Sequence, residues 1–326
     1  MNNRRKLVIA LGAGALTAPL TSFAQAQGKV WCVGFLSQQR LESFNYGAFQ
    51  QGMRELGYVE GKNVRYEARY MAGKFERLPE VAAELMKLNA DTIVVGGGAP
   101  TLGVKAATRT IPIVMVGVAD PVGAGLVTSL ARPGGNVTGI SSISGETGVK
   151  RLDLLISAIP NLSRVAVFFN PANAGYEIPF KPIQAAAKKA GVHLMPFGVR
   201  TWEEIEKTFS VMGTQRVQAL LIMSGGLFGT YRRQLAQLAA TRRLPSIHEA
   251  EPYAEFGGLM SYGYSVAESF RRAAVFVDKI FKGAKPADLP VEQPTTFNLV
   301  INMKTASALG IKFPNSILVR ATKVVE

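Results

Sequence analysis

Short apolar runs alternate with longer amphipathic stretches from Val30 to Gly263, and this rhythm constrains the chain more than any other feature. It is the βαβ pattern of a parallel sheet, in which strands buried on both faces read as continuous Val/Ile runs. The first half predicts strands at VWCVGFLS (30–37), NVRYEARY (63–70), DTIVVGG (91–97), IPIVMVG (111–117) and NVTGIS (136–141). Between them, Phe49, Met53 and Leu56 form one stripe that stops at Gly57, and Leu78, Val81, Leu85 and Leu88 form another. Spacings of three and four residues make both stripes helical. The second half repeats the plan, with strands at RVAVFFN (164–170), VHLMPFGV (192–199), ALLIMSG (219–225), PSIHE (245–249) and GGLMSYG (257–263). Helices are predicted over 178–190 and 231–243. Each half offers about five βα units, enough for one doubly wound sheet, so the fold class is α/β with two such lobes. No residue-level repeat links the halves; the likeness is one of architecture.

The remainder is too short for a third domain. A helix over 265–282 places Phe270, Ala274 and Val277 on one face, and GAKPADLPVEQPTT then leads to the strand FNLVIN (297–302) and the helix MKTASALG. Dividing this tail between the lobes gives 27–140 plus 263–294 as lobe one and 141–262 plus 295–326 as lobe two. A chain that crosses between lobes several times forms a hinge from a few residues at element ends.

Composition narrows the class. With 326 residues, 48% hydrophobic and 18% charged, the chain is neither disordered nor fibrous. The net charge is +14, and the basic residues are scattered rather than clustered, which suits a solvated surface more than a nucleic-acid groove. Single Cys32 excludes an internal disulfide framework and a Cys-based zinc site. Residues 1–26 carry a basic head (Arg4, Arg5, Lys6), the apolar LVIALGAGALTAPL and the cleavage pattern Ala24-Gln25-Ala26. This is the plan of a secretory signal, with Arg4-Arg5 resembling a twin-arginine type; an N-terminal anchor left in place is the alternative. A mature protein in the periplasm is expected.

Ligands of open α/β sheets bind outside the carboxyl ends of the strands. The residues that follow each strand are therefore the candidates: Ser37 and Gln38, then Gly98, Ala99, Pro100 and Thr101, then Asp120 in the first half. In the second they are Asn170, Ser224 and Glu249, with Tyr262 and Tyr264 where the chain returns toward lobe one. The loop GGGAPT enters a helix expected near Pro100, whose free amides would favour a carboxylate; the same glycines would also serve a plain tight turn. Asp120 is open to two readings, partner of a ligand ammonium or cap of a short helix over 122–130. Tyr262, Tyr264 and Phe228 could clamp a planar group or belong to the sheet core. Enzyme signatures are poor: no phosphate loop, no dinucleotide fingerprint and no G-x-S-x-G occur, and His193 and His248 are isolated.

Several long blocks carry a resemblance. GYVEGKNV (57–64), RLPEVAAEL (77–85), VADPVGAGLVTSLARPGGNVTG (118–139) and VDKIFKGAKPADLPVEQPT (277–295) are similar to the ABC-transporter substrate-binding proteins of the tryptophan/tyrosine type. The resemblance spans nearly the whole mature chain. It implies a type I periplasmic-binding fold with three crossings, and a small solute trapped between the lobes for a membrane permease and its ATPase. It implies cleft positions at Ser37, Gly98 to Thr101 and Asp120, and at Asn170, Ser224, Glu249 and Tyr262. No cofactor, metal or nucleic-acid partner is expected, and a monomer is. Two other readings stand beside it: an exported enzyme using Asp120, His248 and Glu249 as acid/base groups, and a sensory ligand-binding module.

Overall fold

The computed structural model describes residues 29–38, 44–71, 75–173 and 176–326; the expected signal sequence lies outside them. The first sheet holds β1 (Trp31–Ser37), β2 (Val64–Tyr70), β3 (Thr92–Gly96), β4 (Ile113–Val118) and β5 (Val137–Ser141). These run parallel in the order β2-β1-β3-β4-β5. The second sheet holds β6 (Arg164–Phe169), β7 (His193–Gly198), β8 (Ala219–Ile222), β9 (Ser246–His248), β10 (Met260–Gly263), β11 (Asn298–Asn302) and β12 (Lys323–Val325). Its order is β12-β11-β10-β9-β8-β6-β7, and β10 with β11 is its antiparallel pair. Strands β6 to β10 thus repeat the order of β1 to β5. Each lobe has a topological switch point, between β1 and β3 in one and between β6 and β8 in the other.

The inner strands of each sheet contribute to a core on both faces, because neighbouring side chains of a strand point to opposite sides. Ile93 and Val95 of β3 join a cluster with Leu36, Leu85 and Val104, while Val94 joins Val33, Phe35, Phe49 and Phe270 on the other face. The helices that cover lobe one are α1 (Phe44–Glu55), α2 (Leu78–Lys87) and α3 (Gly98–Ala107). Lobe two is covered by α4 (Ser144–Ala158), α5 (Glu177–Lys189), α6 (Trp202–Thr214), α7 (Gly226–Thr230), α8 (Arg232–Thr241) and α9 (Pro252–Glu255). Helix α10 (Val266–Phe281) follows β10 yet packs on lobe one, through Phe270, Ala274 and Val277. Its start is capped by a side chain: Ser265 Oγ accepts the Glu268 N–H at 3.1 Å. Helices α1 and α10 touch so closely that a Cβ on Gly52 would lie 2.4 Å from the Arg271 carbonyl oxygen.

The chain passes between sheets after β5, after β10 and before β11. Glu292, on the last passage, pairs with β5 through Glu292 N–H to Gly139 O and Ser141 N–H to Glu292 O, both 2.9 Å. Arg272 of α10 grips the same residue's carboxylate with two bonds of 2.9 Å.

Three local expectations change. Helix α3 begins at Gly98, not Pro100, because Gly97 (φ +90) makes the turn into it. The helix expected over 122–130 is a series of turns: Gly125 (φ +68) breaks it, and Lys105 Nζ takes up the Gly125 and Leu126 carbonyls at 2.5 and 3.0 Å. Strand β12 was not foreseen, since three residues at a sheet edge carry too little pattern.

Candidate functional site

The carboxyl ends of the two sheets face each other across a cavity of about 770 Å³, within the range that takes a small ligand. Both switch points open onto it. From lobe one come Ser37, Gln38, Gly98 and Asp120; from lobe two come Asn170, Ser224 and Glu249, and Tyr264 lies on the passage after β10. The other expected residues stand elsewhere. Ala99 and Pro100 are turned into lobe one, and Thr101 is fully buried with Oγ1 donating to Gly97 O at 2.6 Å, so of the four residues expected there only Gly98 lines the cavity, beside Gly96 and Gly97. Tyr262 packs against lobe two's core and stacks on Phe297 at 6.2 Å. Phe228 is in the same lobe's core beside Phe168. The clamp of Tyr262, Tyr264 and Phe228 is therefore not formed, because β10 and α7 aim two of its members inward.

Beside Tyr264, Phe256 and Phe270, the aromatic surface lining the cavity includes Phe169 stacked on Tyr176, with centroids 4.3 Å apart and planes 17° apart. Sequence reasoning missed both. Phe169 is the last residue of β6, directly before Asn170, and its position at a strand's carboxyl end was the available signal.

Polar groups of the cleft are held by turns and by a buried network. Asp120 Oδ1 accepts the Gly123 N–H at 2.8 Å, and Asn170 Oδ1 accepts the Ala172 N–H at 2.9 Å. Glu249 accepts a hydrogen bond from Ser224 Oγ and lies 3.8 Å from Nη1 of Arg151, a residue with 1% side-chain exposure. Burial lowers the Arg151 pKa, and Glu249 opposes that shift. Tyr264 bonds Ser142, on the passage after β5; its phenol pKa is raised by burial first and by Glu249 second. The wall of the cleft is thus tied to two of the hinge segments.

His248 is buried, and its Nδ1 accepts the Ala250 N–H at 3.0 Å, which leaves the proton on Nε2. Burial, then Arg151 and Arg232, push its pKa down to about 3. Such a histidine stays neutral and is a poor base at ordinary pH, against the role an acid/base enzyme would need. Among the described residues no group of His, Cys, Asp and Glu is placed to hold a metal ion.

Charge pairing separates the ionic groups lining the cavity. Glu249 has Arg151, and Glu251 and Glu255 share Lys323 at 3.7 and 2.5 Å. Asp120 of lobe one and Arg232 of lobe two have no opposite charge among the described residues. Arg232 Nη1 donates to Gly229 O at 2.9 Å, but its Nε is buried without a partner, and burial lowers its pKa. The sequence showed Arg232 only as half of a helical Arg-Arg pair; its place at the start of α8, directly after the short α7 that follows the glycine turn beyond β8, was the missed cue.

Comparison with known proteins agrees with this geometry. A family profile described as ABC transporter substrate binding protein matches residues 29–325. A tyrosine-binding protein of Clostridioides difficile is 24% identical over 264 residues, covering 81% of this chain and 76% of its own. An ABC domain from Streptococcus pneumoniae, solved in complex with L-Trp, is 27% identical with a TM-score of 0.83, covering 91% of this chain and 100% of its own. A conserved domain protein from Vibrio cholerae is 26% identical with a TM-score of 0.84 over the same shares.

Proposed function

This chain belongs to the ABC transporter substrate-binding protein family, and on that premise we propose that its ligand is a free aromatic α-amino acid. The family consists of extracytoplasmic binding proteins rather than enzymes, and its members capture a small solute for an ABC importer. The observation that carries the ligand reading is the pair of unmatched charges on opposite walls, Asp120 and Arg232. A zwitterion supplies the ammonium for the first and the carboxylate for the second. The stacked Phe169 and Tyr176 offer a face to a ring. The relatives named for tyrosine and solved with L-Trp favour the same class.

In this reading Ser37, Gly98, Asn170, Ser224, Glu249 and Tyr264 complete the enclosure. Residues 27–140 with 263–294 form one jaw, and 141–262 with 295–326 the other. Residues 1–26 direct export to the periplasm, and the mature monomer delivers its solute to a permease driven by a separate ATPase, with no nucleic acid involved. Binding shifts the jaws toward closure only by as much as the ligand prefers the closed form. With one charge on each wall, both ends of the ligand are satisfied only when the walls approach.

Thermal unfolding with L-tryptophan, L-tyrosine and L-phenylalanine tests this. A ligand at 100 times its dissociation constant adds about 2.7 kcal/mol. Tryptamine and indole-3-propionate, each lacking one charge, should stabilise far less than L-tryptophan. No stabilisation by any of the three amino acids, or equal stabilisation by the singly charged analogues, refutes the proposal.

A further inference from the structure

Gln38 spans the cleft. It follows β1 in lobe one, and its Nε2 donates to Gly96 O, at the end of β3 in the same lobe, at 3.1 Å. Its Oε1 accepts from the N–H of Gly226, the first residue of α7 in lobe two, also at 3.1 Å. Both ends of one amide are therefore used, one on each lobe. Two glycines make the room it occupies. A Cβ on Gly97 would sit 1.9 Å from Gln38 Nε2, and one on Gly226 would sit 2.6 Å from both Cβ and Oε1 of Gln38. Gly226 does not have a positive φ, so a side chain there is excluded by Gln38 and not by backbone strain.

We propose that Gln38 is an interlobe latch: its bond to Gly226 forms only when the jaws are closed, so that it sets the closed population and the rate of ligand release without reading the ligand. The proposal rests on the solute-receptor reading for its biological meaning but not for its geometry. A bond present only in the closed state multiplies the affinity for every ligand by the same factor, because apparent affinity scales with the competent fraction. One neutral hydrogen bond exchanged against water is worth roughly a 2- to 10-fold change. Glutamate cannot replace glutamine here. It retains an acceptor for Gly226 but sets a second carboxylate oxygen against the Gly96 carbonyl.

The test uses the mature chain with Gln38→Ala, Gln38→Glu and Gly226→Ala. The readouts are stopped-flow release of L-tryptophan and L-tyrosine, and solution scattering of the ligand-free protein. Gln38→Ala should speed release of both ligands by one common factor of roughly 2 to 10 and enlarge the ligand-free radius of gyration. Gln38→Glu should do at least as much. Gly226→Ala should by itself open the jaws, since its Cβ would meet Gln38 Cβ and Oε1, both 2.6 Å away. Unequal factors for the two ligands would make Gln38 a ligand contact and overturn the latch. So would a ligand-free radius unmoved by Gln38→Ala. If no amino acid binds, the receptor reading fails on its own while scattering still decides the latch.

Discussion

Replacing Arg232 by methionine should separate binding from stability. In the empty protein the guanidinium is partly buried, has no carboxylate partner among the described residues, and leaves Nε without a hydrogen bond. Its one bond, Nη1 to Gly229 O at 2.9 Å, contributes about 1 kcal/mol, and relief of the desolvated charge offsets a similar amount. Methionine keeps the unbranched stem and its packing, so the stability of the empty variant should stay within about 1 kcal/mol of the parent. Binding should behave differently. A hydrogen bond to a charged group is worth about 1.5–3 kcal/mol, so affinity for an amino acid should fall roughly 10- to 150-fold. Isothermal titration with L-tryptophan and tryptamine reads the effect. The variant should lose most of its affinity for L-tryptophan and bind tryptamine as the parent does, because tryptamine lacks the carboxylate. An unchanged affinity for L-tryptophan, or an equal loss for both compounds, would remove Arg232 from the site.

The complementary change, Asp120→Asn, keeps the acceptor for the Gly123 N–H and removes the charge. It should weaken L-tryptophan roughly 10-fold or more and leave indole-3-propionate unaffected, as measured by the same titration. For His248 the native pKa of about 3 lies below the ordinary histidine value of 6.5. The unfolded chain therefore binds the extra proton between those values, and stability falls as pH drops from 6.5. In urea unfolding from pH 6.5 to 4.5, His248→Gln should flatten this slope by up to about 1.4 kcal/mol per pH unit; an identical slope refutes the shift. Gly52→Ala places a methyl group against the Arg271 carbonyl and should destabilise the protein by about 1–3 kcal/mol in the same assay. A neutral result would mean that α1 and α10 are not in close contact.

Much of the architecture was legible in the chain. The apolar runs located β1 to β11 within two residues at each end, save the end of β8 and the start of β10, which differ by three; the inner strands, covered on both faces, leave a continuous apolar signature. The strand-end rule placed Ser37, Gly98, Asp120, Asn170, Ser224 and Glu249 around one cavity. The rule names a position along the chain and not a side-chain direction. That is why it also gathered Thr101, whose hydroxyl turns back to Gly97, and Tyr262, which packs into a core. Aromatic content was equally ambiguous: Phe169 and Phe228 each sit near a strand end, yet only Phe169 lines the cleft.

The positions of the strands along the chain and the family were written in local periodicity and in contiguous blocks, which depend on neighbours along the chain. Which charges remain unmatched depends on neighbours in space. Arg151 reaches Glu249, Lys323 reaches Glu251 and Glu255, and Asp120 and Arg232 are left over only once the sheets and the tail have packed. The bridge from Gln38 to Gly226 is of the same kind, since a hydrogen bond across 188 residues leaves no periodic trace in the sequence. Local pattern built the two jaws; long-range contact chose the groups that face what they hold.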